Sequence, residues 1–128
     1  METLLDTSVC IDLLRGREPR GRLPRLTDCA LSVITVAELE VGVLRSSARA
    51  KQRRAVDAFL ELFRVLPWDE VAARHYGEIR VELERRGIAI GPLDLLIAAH
   101  ARSLGANLLT GNQREFRRVP GLRCLAWK

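Results

Sequence analysis

The sequence predicts an α/β domain in which helices cover both faces of a parallel sheet of four or five strands. Three observations predict it. Short apolar runs alternate with stretches of helical periodicity along the chain. The runs are continuously apolar, as strands buried on both faces are, rather than alternating apolar and polar. And 128 residues suffice for one hydrophobic core but not for two, so one domain is expected over residues 1–128.

The first run is Thr3-Leu4-Leu5. It ends at Asp6-Thr7-Ser8, residue types that begin helices by accepting from free backbone N–H groups. A helix then carries Val9, Ile11, Leu13 and Leu14 up to Gly16, and the Gly-, Pro- and Arg-rich segment 16–28 reads as a loop. Ala30 to Ile34 is expected as the second strand, stopping at Thr35, with Val36, Leu39, Val43 and Leu44 continuing at helical spacing. Segment 50–64 places Ala55, Val56, Phe59, Leu60 and Phe63 on one helical face, and Arg64-Val65-Leu66 is a short third strand before Pro67. Residues 70–86 give the cleanest helix (Val71, Ala72, His75, Tyr76, Ile79, Leu83), stopped by Gly87. Gly91-Pro92 opens another, running through Leu104 to Gly105. Asn107-Leu108-Leu109 is a fourth strand, and Leu122 to Trp127 a fifth.

Bulk composition excludes several classes. Hydrophobic residues are 48% and charged residues 29% of the chain, ordinary for a globular protein. No apolar stretch approaches the roughly 18 residues of a membrane span. The start of the chain has neither a basic segment nor an apolar one of the export type, so a cytoplasmic protein is expected. Cys10, Cys29 and Cys124 lack metal or disulfide spacing and read as small buried hydrophobes. Twenty-one Lys and Arg face 16 acids, for a net +5 and a pI near 9.8, which suits a polyanionic partner. Aromatic residues at 5% are too few for a base-stacking platform. Arginine clusters at 15–25, 45–54 and 114–118 are candidate RNA-contact surfaces or, equally, solvated helix faces.

The carboxylates are informative by position. Asp6 follows strand one, Thr35 and Glu38 follow strand two, Thr110 and Asn112 follow strand four, and Asp94 stands in the first turn of a helix. In open parallel sheets, sites form at the carboxyl ends of the strands. Each residue also has a structural reading: Asp6 as a cap, Thr35-x-x-Glu38 as a capping box, Asp94 as a charge at a helix start. Together, three carboxylates on one sheet edge repel one another unless they share a cation, and hard oxygens suit Mg²⁺ or Mn²⁺. His75 and His100 have no metal-spaced partner, and His100 lies about 240° round the helix from Asp94, so it points elsewhere.

Four segments in order resemble the PIN domain: Asp6-Thr7-Ser8, Ser32 to Leu39, Ile90 to Ala101, and Leu109-Thr110-Gly111-Asn112 through Arg114-Glu115-Phe116. More narrowly, they and the tail Val119-Pro120-Gly121-Leu122 are similar to the VapC toxins of bacterial VapBC toxin–antitoxin modules. The resemblance implies a three-layer α/β/α fold and Mg²⁺-dependent endoribonuclease activity, with Mn²⁺ as an alternative metal. It places Asp6, Glu38 and Asp94 at the first three acidic positions and selects Glu38 over Glu40, which helical spacing alone does not. Asn112 stands at the fourth, where Glu115 is the nearby acid able to supply the charge. Asp6 and Asp94 are then expected as direct metal ligands, Glu38 as ligand to a second metal or orienter of water, and Thr110 and Ser8 as hydroxyls that fix the carboxylates. RNA as substrate, a small VapB-type antitoxin docking on the helical region 36–63, and a homodimer are the expected partners. A competing class, supported by Asn112 alone, is a PIN-like module that binds nucleic acid or protein without cutting. A phosphoacceptor domain of the response-regulator kind fits worse, because Leu5 rather than a second acid precedes Asp6 and Lys occurs only at 51 and 128.

Overall fold

The computed structural model describes residues 2–17 and 24–127. Five strands, β1 (Thr3–Leu5), β2 (Cys29–Ser32), β3 (Arg64–Leu66), β4 (Asn107–Thr110) and β5 (Arg123–Ala126), form one sheet in the order β3-β2-β1-β4-β5. Every pairing is parallel. All carboxyl ends therefore share one edge. The inner strands β1, β2 and β4 are buried nearly throughout, while the outer β3 and β5 are partly exposed and carry Arg64 and Arg123. Those charges suit edge strands, whose open flank must discourage further pairing.

Among the described residues six helices connect and cover the sheet: α1 (Thr7–Leu14), α2 (Val33–Arg45), α3 (Arg49–Leu60), α4 (Glu70–Arg85), α5 (Pro92–Ser103) and α6 (Gln113–Phe116). The strand alternation divides the core into two layers. Leu4, Ala30 and Leu108, which share a row of the sheet, pack with Ile79 and Leu83 of α4 and with Leu95, Ile97 and Ala98 of α5. Their neighbours Leu5, Leu31 and Leu109 face the other way, onto Val9 of α1, Leu39 and Val43 of α2, and Val56 and Phe59 of α3. A run of two adjacent apolar residues thus serves both layers at once, which is why these strands read as continuously hydrophobic.

The expected elements form, with three corrections. Strand β2 ends at Ser32, not Ile34. Ser32 has extended backbone and accepts from the Ile34 N–H, so the helix starts three residues early and Thr35 is a buried residue of its first turn rather than its cap. A capping box at Thr35 and Glu38 is therefore absent. Ala55 lies on the solvent side of α3, and Phe63 packs beneath the helix from beyond its end. Cys10 and Cys29 are buried, but Cys124, on the outer strand, is only half-buried. The loop expected over 16–28 falls partly on residues 18–23, outside the described ones; Leu26–Asp28 form one 3-10 turn. No helix among the described residues is long and apolar enough to cross a membrane.

Candidate active site

Asp6 caps α1 at the end of β1 and is only 4% exposed. One carboxylate oxygen accepts from the Ser8 N–H at 3.0 Å; the other accepts from the Ser8 hydroxyl at 3.1 Å and from the Thr110 hydroxyl at the end of β4. Its backbone N–H donates to the Leu109 carbonyl at 3.0 Å, extending the ladder to the mouth of the sheet. Three donors to the carboxylate, with the residue's own N–H on Leu109, fix Asp6 in place.

Glu38 stands on α2 one turn after Thr35. Its Oε1 accepts from the Thr7 hydroxyl at 2.6 Å, and that hydroxyl also shares a hydrogen bond with Thr35 at 3.2 Å. The first turns of α1 and α2 are thereby tied together, and Oε2 of Glu38 is left without a partner among the described residues. Glu40, two residues on, is committed elsewhere: Arg53 of α3 grips it with two bonds, of 2.6 and 2.8 Å. Of the two glutamates, Glu38 thus faces the first turn of α1 and Glu40 faces α3.

Asp94 lies in the first turn of α5. Burial, then the charge of Glu115, then that of Asp6, a hydrogen bond with Glu115 and the charge of Glu38 push its carboxyl up to about 7. Glu115 is itself anchored: one oxygen accepts from the Gly91 N–H at 3.2 Å, the other from the Asn112 side-chain amide at 2.6 Å. The Asn112 N–H donates to Thr110 Oγ1 at 2.9 Å, so Thr110 links Asn112 to Asp6. Asp6, Glu38, Asp94 and Glu115 are thus electrically one group. Among the described residues no three acidic, histidine or cysteine side chains are gathered tightly enough to enclose an ion as they stand.

All the residues singled out in the sequence lie at this edge, with Glu115 set directly against Asp94. His100 does not; it is buried and its Nδ1 is 2.7 Å from Ser32 Oγ, beneath the start of α2. His75 accepts from Arg102 at 2.8 Å. Thr7 is the residue that sequence reasoning missed. Its type said only helix start, and its partner Glu38 is 31 positions away.

Comparison with known proteins gives a consistent picture. The PIN domain family profile matches residues 3–122. The chain is 38% identical over 131 residues to "tRNA(fMet)-specific endonuclease VapC" of Salmonella typhimurium, covering 99% of this chain and 98% of that one. It is 35% identical to "Ribonuclease VapC2" of Rickettsia felis, covering 97% and 96%. Among solved structures, DNA-bound VapBC from Salmonella typhimurium matches with a TM-score of 0.89 at 35% identity, over 100% of this chain and 99% of that chain. VapBC-5 from Mycobacterium tuberculosis matches with a TM-score of 0.80 at 29% identity, over 99% and 98%.

Proposed function

The chain belongs to the PIN domain family, and from that premise we propose that it is the toxin of a type II toxin–antitoxin pair, a metal-dependent endoribonuclease of the bacterial cytoplasm. One observation carries the catalytic part: where the parallel strands end, burial and then the charges of Glu115, Asp6 and Glu38 raise the Asp94 carboxyl to about 7. Such repulsion is costly to a fold unless a cation offsets it. The donor set is made of hard oxygens alone, which fits Mg²⁺, with Mn²⁺ as the alternative, and disfavours softer metals.

Asp6 and Asp94 are the residues that would hold the ion, with Glu38 and Glu115 completing the negative field. When bound, a divalent cation supplies Lewis acidity to water and offsets charge on the attacked phosphate. The chain's own residues do the rest. Ser8 and Thr110 hold the Asp6 carboxylate in place. Thr7 fixes Glu38 through Oε1, leaving Oε2 to orient the attacking water and take its proton. Asn112 directs its amide onto Glu115 and so aims that carboxylate towards Asp94. With Glu115 in place, Asn112 no longer favours a module that binds without cutting.

Relatives that match over nearly the whole chain are named ribonucleases, and matching structures are VapBC complexes. An antitoxin peptide would seat in the cleft of about 340 Å³ between α1 and α2 lined by Ile11, Leu14, Leu39 and Gly42, which runs to Glu38. A basic side chain of that peptide at the cleft's acidic end would pair with the carboxylates and block the site. A second copy of the chain remains the other expected partner. The test is induction in a bacterial host: wild type should arrest growth, Asp6→Asn should not, and the co-expressed antitoxin should restore growth. Normal growth with abundant wild-type protein would contradict the toxin assignment.

A further inference from the structure

We propose that Arg114 and Arg118 form a phosphate-binding subsite for the RNA strand beside the carboxylates, on the α6 side of the active site. The inference rests on the reading of the chain as an RNA-cleaving enzyme and specifies how that enzyme would grip its substrate.

A cleft of about 290 Å³ is lined by Asn112, Arg114, Glu115 and Arg118 alone. Every residue of its lining is polar or charged, and it lacks the aliphatic and aromatic residues that anchor a protein partner. It opens directly onto the acidic centre, because Asn112 and Glu115 belong to both: Glu115 accepts from the Gly91 N–H at the start of α5, whose first turn holds Asp94, and the Asn112 N–H donates to Thr110. A ligand filling the cleft is therefore the immediate neighbour of whatever lies over Asp94.

Eight of the described arginines, Arg53, Arg64 and Arg102 among them, pair with a carboxylate, and Arg114 and Arg118 do not. Arg114 makes no ion pair or side-chain hydrogen bond among the described residues and is exposed. Arg118 donates only to main-chain carbonyls, Ala89 at 3.3 Å and Glu115 at 3.4 Å. Those bonds place the guanidinium without neutralising it. The one acid in the lining, Glu115, spends both oxygens on Gly91 and Asn112 rather than on either arginine.

Next to a cluster of carboxylates, two unneutralised guanidiniums solve a specific problem. An acidic centre repels the polyanion it must cut, and a cation bound there offsets charge only at the phosphate under attack. The adjoining phosphate needs its own counter-charge. Arginine supplies it as a planar donor fork that matches phosphate oxygens. Contacts of this kind position the strand and contribute affinity without reading its bases.

Steady-state cleavage of an initiator-tRNA transcript by wild type, Arg114→Gln, Arg118→Lys and the double Arg114→Gln/Arg118→Gln variant, over a series of NaCl concentrations, tests this. Arg114→Gln should raise KM about threefold to tenfold with kcat little changed, and the double variant should raise it further. Each lost phosphate contact should make the dependence of log(kcat/KM) on log[salt] shallower by about one unit. Arg118→Lys should keep the salt slope while losing part of the affinity. Because Arg114 has no partner within the described fold, its variant does not depend on refolding. Unchanged KM and salt slope in Arg114→Gln, with wild type cutting the transcript, overturns the subsite alone. Failure of wild type to cut either the transcript or total bacterial RNA overturns the enzymatic reading and the subsite with it.

Discussion

Asp94 is the residue whose chemistry most depends on its surroundings. Its carboxyl is raised from an ordinary 3.8 to about 7 by burial and by the charges of Glu115, Asp6 and Glu38. The folded protein therefore holds a proton there that the unfolded chain has already released. Without metal, this group's contribution to stability should be full below about pH 4, fall as pH rises towards 7, and stay lost above. Asp94→Asn removes the group, so in EDTA its melting temperature should vary less over that window and exceed that of wild type at pH 8. Partial exposure of Asp94 discounts the gain to on the order of 1 kcal/mol. A larger pH dependence in the variant than in wild type would contradict the account. Thr7 offers a second prediction. Thr7→Val removes the hydroxyl that holds Glu38, keeps the β-branched shape, and should lower kcat roughly tenfold, as loss of residues that orient such carboxylates does. An unchanged kcat would show that Glu38 needs no such support.

At the scale of elements, Ser32 is where reading and structure part. Apolar periodicity carried β2 on to Ile34, because Val33 and Ile34 suit strand and helix alike. A hydroxyl one residue earlier ended it by capping α2. The same hydroxyl meets buried His100, a contact 68 residues apart with no local signature. Ser32→Ala should destabilise the protein by about 1–2 kcal/mol, from the lost cap and the unpaired ring nitrogen. Chemical denaturation measures it, and a change below a few tenths would mean α2 is held by packing alone. Elsewhere the punctuation was legible: Gly87 and Gly105 end α4 and α5 with positive φ, and Pro92 starts α5. The candidate site was legible to the extent that Asp6, Glu38 and Asp94 follow strand or helix starts. Thr7, and the direct contact between Glu115 and Asp94, were not, since both depend on how helices distant in sequence approach one another.

For the molecule as a whole, parallel topology brings the ends of β1, β2 and β4 to one edge, and the two-layer core holds them there. The acidic group at that edge accumulates negative charge on a chain that is otherwise net positive, so a divalent cation should stabilise the fold by mass action: millimolar Mg²⁺ should raise the melting temperature of wild type but not that of Asp6→Asn. The most direct test of the central claim is cleavage itself. Wild type, Asp6→Asn and Asp94→Asn are incubated with an initiator-tRNA transcript and with total bacterial RNA, in Mg²⁺, in EDTA, and in EDTA followed by excess Mg²⁺. Wild type should cut in Mg²⁺, stop in EDTA and recover on readdition, and both variants should be silent throughout while melting in EDTA at or above the wild-type temperature. Cleavage by folded Asp94→Asn at the wild-type rate, or cleavage by wild type undiminished in EDTA, would contradict it.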